Sequence, residues 1–357
     1  MASLFWQVYK NLEKEFLSIA EVVHVNDKQL TVYSMKIADL LVRTAIEIES
    51  ISKLLYLHNG GVKTDPKQIY FDTDAIMLLN NLWQIEDKKV LVVSPELYLE
   101  DENNTTLQPL LRASHRSGTE WNKAYQAVKH DRYSSLKKGN IKVALQALAA
   151  LYLLNIYYRK DSWVVKYQDL SKQDYSMGSV LFAVKPPVTN QLWYGNQPLV
   201  SDSPFVVAYL DDVYKRIEGA QKAERDAQVD YWVKQPELKE PEFIALINAE
   251  LEKKKQDPSY RVLLIWELAK YRLKKLLPKE MPFEERKFGL IHSEAWRGRI
   301  NQQNKHLAPD EITEENIDKE IESVAIRWGM QIEWGFKKEE WELFATSSAG
   351  CKIFIPD

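Results

Sequence analysis

Apolar residues recur along this chain at helical intervals for most of its first half. Phe5, Tyr9, Leu12, Phe16 and Ile19 fall at steps of three and four, the stripe of an amphipathic helix. Asn26 and Asp27 offer an N-cap for a second, longer helix ending near Tyr56. Its apolar face is Ile37, Leu40, Leu41, Ile48, Ile51 and Leu55, and Asn59-Gly60-Gly61 supplies a stop. A short helix is expected around Asp74 to Trp83. An irregular, polar stretch through Glu100 to Thr106 follows, with a strand expected at Lys89 to Ser94. Thr119 is placed to cap a helix beginning at Trp121, and Gly139-Asn140 breaks it before a last, strongly apolar segment, Val143 to Tyr158. Four principal helices joined in this way form a bundle.

Past Lys160 the pattern changes. Ser179 to Val184 reads as a strand running into Pro186-Pro187, with further β-type pieces near Leu192 and Phe205. From Asp211 to about Leu277 the chain is helical and heavily charged, broken at Pro236, Pro241 and Pro258. Lys253 to Lys255 reads as a solvated basic run. Glu311 to Phe344 is helical again, and Cys351-Lys-Ile-Phe-Ile closes as a strand. The expected fold class is therefore mainly α. A helical bundle over 1–160 precedes an α+β region with a small sheet over 161–357, as one or two subdomains.

A length of 357 residues favours two domains over one core. With 48 basic and 51 acidic residues the net charge is −3, so polyanion binding has to come from a local patch. The single Cys351 excludes an intramolecular disulfide and a cysteine-based zinc site. The sixteen or so apolar residues at Val143 to Tyr158 fall short of the about twenty a membrane span needs, which reads as a buried core helix. No signal-peptide pattern opens the chain, so a cytoplasmic location is the expectation. No HExxH, CxxC, phosphate-cradling glycine loop or GxSxG is present, and neither a metal nor a cofactor is expected.

The chemistry concentrates in Trp121-Asn-Lys-Ala-Tyr-Gln-Ala-Val-Lys-His-Asp-Arg132. On a helix Trp121, Ala124, Tyr125 and Val128 face inward, while Asn122, Gln126 and His130 line up four residues apart on another face. Lys123 joins that polar row, and Lys129 and Arg132 flank the apolar side and can reach around it. A histidine in a cationic row suits acid–base work on a phosphodiester, whose developing negative charge the cations offset. On the second helix Arg43 and Glu47 stand one turn apart. Glu47 borders the apolar face and is expected to pair with Arg43 or to orient Lys129, His130 or Arg132. The bland alternative makes the whole cluster a polar brace between helices. Weaker basic groupings are Arg112-Ala-Ser-His-Arg116 and His292 with Arg297, Arg299, Lys305 and His306.

Over residues 1–160 the chain resembles the HEPN-type helical domains of prokaryotic toxins and defence ribonucleases. The resemblance rests on Arg43-Thr-Ala-Ile-Glu-Ile-Glu-Ser50, on Ala127-Val-Lys-His-Asp-Arg132, and on the closing helix Ala144 to Leu154. It implies a homodimer and metal-independent RNA cleavage. His130 would act as general acid or base, Lys123 and Arg132 would hold phosphate, and Glu47 would orient them. Lys129, Asn122, Gln126 and Arg43 would contact substrate. The family's usual arginine before the histidine is replaced here by Lys123, and an arginine follows instead at Arg132. A non-catalytic interaction protein, with a protein or nucleic-acid partner on the C-terminal region, is the competing expectation.

Overall fold

The computed structural model describes residues 4–115, 118–188, 201–298, 307–347 and 350–357. It is mainly helical, with two three-stranded antiparallel sheets among the described residues. The chain divides into two compact units, one of residues 1–210 with 347–357, the other of residues 211–346. The division falls after Leu210, whereas the sequence pattern placed it after Lys160. Strand pairing is the reason. The strands β1 (Val90–Val92), β2 (Thr106–Leu107), β3 (Ser162–Val165), β4 (Phe182–Val184), β5 (Val206–Tyr209) and β6 (Cys351–Phe354) all belong to the first unit. β4 returns to β1, with Val92 opposite Phe182 and Val90 opposite Val184, and β1 also carries β2. The C-terminal β6 lies between β3 and β5. The strands expected within residues 161–357 are present and fold with the bundle, while the elements described within residues 211–346 are helical.

The bundle consists of α1 (Leu4–Ala20), α2 (Met35–His58), the short α3 (Met77–Trp83) and α4 (Glu102–Thr105), α5 (Glu120–His130), α6 (Arg132–Ser135) and α7 (Ile141–Arg159). A one-turn π-helix, Phe71–Ile76, leads into α3. Helix α7 is the core: only Lys142, Gln146, Tyr158 and Arg159 along it escape burial. It packs against α1, α2, α5 and β4. It is long and apolar enough to cross a membrane by length and composition, but most of its surface is covered by the bundle itself. Tyr157 stacks on Trp83 with ring centroids 4.5 Å apart, closing one side.

Helix α2 starts at Met35, capped by the Ser34 hydroxyl on the Ile37 N–H. Asn26, expected to cap it, instead caps a single 3₁₀ turn at Asp27–Gln29. The intervening residues are drawn out by the start of α7, whose Ile141 and Lys142 N–H groups donate to the Val32 and Leu30 carbonyls. At its far end Gly60 takes φ +85°, the left-handed stop that Asn59-Gly60-Gly61 foretold, and the Gly61 N–H bonds to the Tyr56 carbonyl at 2.9 Å. Thr119 caps α5 through the Asn122 N–H, and Asn140 caps α7 through the Val143 N–H.

A buried carboxylate ties α1 to the chain entering β4. Glu13 is 1% exposed and lies on the apolar stripe of α1, one turn from Tyr9. It accepts from the Tyr9 hydroxyl at 2.8 Å, the Ser179 hydroxyl at 2.5 Å, and the Val180 and Leu181 N–H groups at 3.0 and 3.1 Å. The Lys10 ammonium closes the set. Burial works against the charge, but the Lys10, Ser179, Leu181 and Tyr9 donors together outweigh it and hold the carboxyl below its ordinary range.

The second unit holds α8 (Asp211–Val233), α9 (Pro241–Gln256), α10 (Leu264–Leu276), α11 (Phe283–His292), α12 (Glu294–Gly298) and α13 (Ile317–Ser347). Leu273, Leu290, Trp296, Ile321 and Val324 are among its core residues. Arg272 grips Glu237 through Nε and Nη2 at 2.7 and 3.0 Å, and Arg286 donates to Asp318 at 2.6 Å. Lys253 and Lys255 are exposed and bond to Glu250 and Glu252 on their own helix, a solvated run.

Two stability outcomes follow from this packing. Leu148→Ala, at the fully buried middle of α7, should cost about 2–5 kcal/mol, read by chemical denaturation. Glu13→Ala strands five donors and should cost about 2–4 kcal/mol. Because the folded carboxyl titrates below its unfolded value of about 4.3, its stabilisation is complete above that pH and fades as pH falls further. Glu13→Gln should flatten that acid limb of the stability–pH curve; an unaltered limb would remove Glu13 from this role.

Candidate functional site

The opening helix of the chemistry-bearing segment forms as its spacing requires. Trp121, Ala124, Tyr125 and Val128 are buried, while Lys123, Lys129 and His130 are exposed and Asn122 and Gln126 half-buried. The Trp121 indole N–H donates to the Pro109 carbonyl at 2.8 Å, which fixes the loop before the helix. Lys129 folds back on Tyr125, its Nζ 5.2 Å from the ring centroid. The Tyr125 hydroxyl, and more weakly Glu49, hold that ammonium above its ordinary range. Asp131 ends α5 and caps the short α6, accepting from the Ser134 N–H at 3.1 Å.

That cap turns Arg132 toward α2. Its guanidinium donates to Asp39 at 2.6 Å, the two side chains being 40% and 49% exposed. Asp39, not Glu47, is the partner because α6 and the turn after it lie at the N-terminal end of α2. There Gly139 sits against Ala38 so closely that a Cβ would fall 3.0 Å from the Ala38 Cβ. Glu47 stands two turns farther along α2, half-buried, with no ion pair or hydrogen bond among the described residues. Arg43 likewise passes over Glu47, the partner expected one turn away, and donates to Glu15 of α1 at 2.5 Å. An i,i+4 pair on an exposed helix contributes only about 0.3–0.5 kcal/mol, so a cross-helix carboxylate readily wins.

An open hollow of about 560 Å³ is lined by Glu15, Lys36, Asp39, Val42 and Arg43, and Arg132 is joined to it through Asp39. Lys36 donates to the Ser18 hydroxyl at 2.9 Å. Three cations, Lys36, Arg43 and Arg132, therefore meet two carboxylates, Glu15 and Asp39, on an accessible surface. Exposed pairs of this kind contribute about 0–1 kcal/mol each, whereas a charge-assisted arginine–phosphate bond contributes about 1.5–3 kcal/mol. The arrangement can accept an anion by exchanging its carboxylates. His130 stands two residues from Arg132 at the exposed end of α5; Lys123 projects from the same helix two turns back.

Other sequence candidates stand apart. Arg112 takes a left-handed φ of +61° on an exposed turn, and Arg116 lies outside the described residues. His292 stacks on Phe288 at 4.0 Å in the second unit, while Arg299, Lys305 and His306 are outside the described residues. Among the described residues no three histidine, cysteine or acidic side chains are grouped to hold a metal ion. Spacing did not single out Asp39, Glu15 or Lys36, whose partners come from other helices. Nor did it single out Lys88, which is 2% exposed and donates to the Ser201 carbonyl at 2.5 Å. Burial pushes the Lys88 amine down to about 8. Comparison with family models, with curated proteins and with solved structures finds no match for this chain.

Exposure makes the Arg132–Asp39 pair a weak brace. Arg132→Ala should lower the unfolding free energy by less than about 1 kcal/mol. A loss of about 1–3 kcal/mol in the same denaturation experiment is the cost of stranding a buried partner and would make the cluster structural.

Proposed function

We propose that residues 1–160 act as a HEPN-like domain that binds RNA and cleaves it without metal, His130 and Arg132 being the centre of the activity. The observation that carries this reading is an open hollow lined by Arg43 and Asp39, with Arg132 paired to that Asp39 and His130 exposed two residues from Arg132. In the reaction the RNA 2′-hydroxyl attacks its neighbouring phosphorus, and the bond to the 5′-oxygen breaks. The products are a 2′,3′-cyclic phosphate and a free 5′-hydroxyl. The attacking group is part of the substrate, so no metal-bound water is required. His130 takes the 2′-hydroxyl proton or returns one to the leaving oxygen. Arg132 and Lys123 offset charge on the equatorial oxygens, Arg132 with the planar fork that suits phosphate and Lys123 as a point charge. Lys129, Asn122, Gln126 and Arg43 would contact the flanking backbone. A homodimer, as in the resembling family, would set two such centres together.

A second reading is favoured by one observation: both arginines already carry a carboxylate partner. In it the pairs brace α1, α2 and α6 in a non-catalytic binding protein.

Incubation of the purified protein with mixed single-stranded and structured RNA in EDTA separates the two. The ribonuclease reading expects cleavage that survives EDTA, leaves cyclic phosphate ends, and falls at least about 100-fold in His130→Ala, the usual span of acid–base catalysis. Cleavage that persists in His130→Ala, or that EDTA abolishes, would overturn it.

A further inference from the structure

Arg43, which lines a hollow open to solvent, and Arg132, paired to the Asp39 that also lines it, are each held by a single carboxylate. Half of the Arg43 side chain and two-fifths of that of Arg132 are exposed, so both can turn without breaking the core. Among the described residues neither Asp39 nor Glu15 caps a helix or accepts from a buried donor. Their oxygens occupy the positions that phosphate oxygens would take on the two guanidinium groups. Lys36 adds a third cation, whose ammonium donates to the Ser18 hydroxyl and to no carboxylate among the described residues. Val42 supplies an apolar wall between the charged groups. A hollow of about 560 Å³ lies within the usual range for a small-ligand site and admits a phosphodiester with its sugar.

We infer that this hollow is a backbone-phosphate subsite for single-stranded RNA, kept closed electrostatically by Glu15 and Asp39, which release Arg43 and Arg132 when phosphate displaces them. The inference rests on the RNA-binding reading above and adds what that reading lacks: two acidic residues that oppose binding. Removing a bracing acid weakens a site, but removing a competing acid strengthens it. The carboxylates also repel the approaching polyanion, so both effects of their neutralisation act in the same direction.

The test is fluorescence anisotropy with a labelled, single-stranded 2′-O-methyl oligoribonucleotide, which binds as RNA but offers no attacking hydroxyl. Asp39→Asn and Glu15→Gln, both nearly isosteric, should each tighten binding by about 3–10-fold, and the double variant further. Arg43→Ala should weaken it and reduce the slope of log K against log salt by about one contact. Unchanged or weaker binding in both acid variants, or no binding by any of the proteins, would overturn the inference; circular dichroism confirms that each variant is folded. The two readings fail separately. Tighter binding by the acid variants with no cleavage of ordinary RNA keeps the subsite and dismisses the ribonuclease. Cleavage by a protein whose affinity ignores both acid substitutions does the reverse.

Discussion

A helix with almost no water-facing side chain has to be walled in from every direction, and α7 imposes that demand on the first unit. Its neighbours α1, α2, α5 and β4 each contribute one apolar face, and each is oriented by the need to supply it. Leaving such a helix partly bare costs about 25 cal/mol for each Å² of apolar surface exposed. Local preferences give way to it. The stretch Leu30 to Tyr33 leaves the helical path to bond the first turn of α7, and β4 returns from beyond residue 160 to cover its flank.

The placement of the charged groups follows from the same packing. Because α2 spends its inner face on α7, Asp39 and Arg43 are left on its outer edge, where α1 brings Glu15 and α6 brings Arg132. Apolar burial therefore sets the geometry of the hollow, and the ion pairs fill it afterwards. Glu13 belongs to the opposite category. It is buried with five donors around it, whereas Glu15, two residues on, is exposed enough to exchange partners. One acid of α1 locks the chain entering β4, and the other stands at a mouth that ligand can reach.

Periodicity revealed the elements whose partners lie within one turn. The buried and exposed faces of α5, the apolar length of α7, the Gly60 stop and the strands β1, β4, β5 and β6 were all legible in this way. The expected strand piece near Leu192 lies outside the described residues. What sequence spacing could not supply was the identity of partners brought in by tertiary packing. Asp39 meets Arg132 across 93 residues, and Glu13 meets Ser179 across 166. Glu13 did leave a trace, a carboxylate on the apolar stripe between Tyr9 and Phe16, where an acid must find donors. Asp39 left none, since an acid on an exposed helical edge is the commonest outcome. Strand β3 was also hidden, because Ser162 to Val165 alternates over too few residues to stand out from a helix end.

The proposed RNA subsite lies where α1, α2 and α6 meet, and side-chain NMR of its two arginines reports on it without an activity assay. The Nε–Hε signals of Arg43 and Arg132, assigned by their loss in the alanine variants, would be followed while single-stranded 2′-O-methyl RNA is added. These two signals should shift together and saturably, while those of Arg272 and Arg286 in the second unit stay in place. Shifts confined to the second unit, or an Arg43 and Arg132 pair indifferent to RNA, would contradict it.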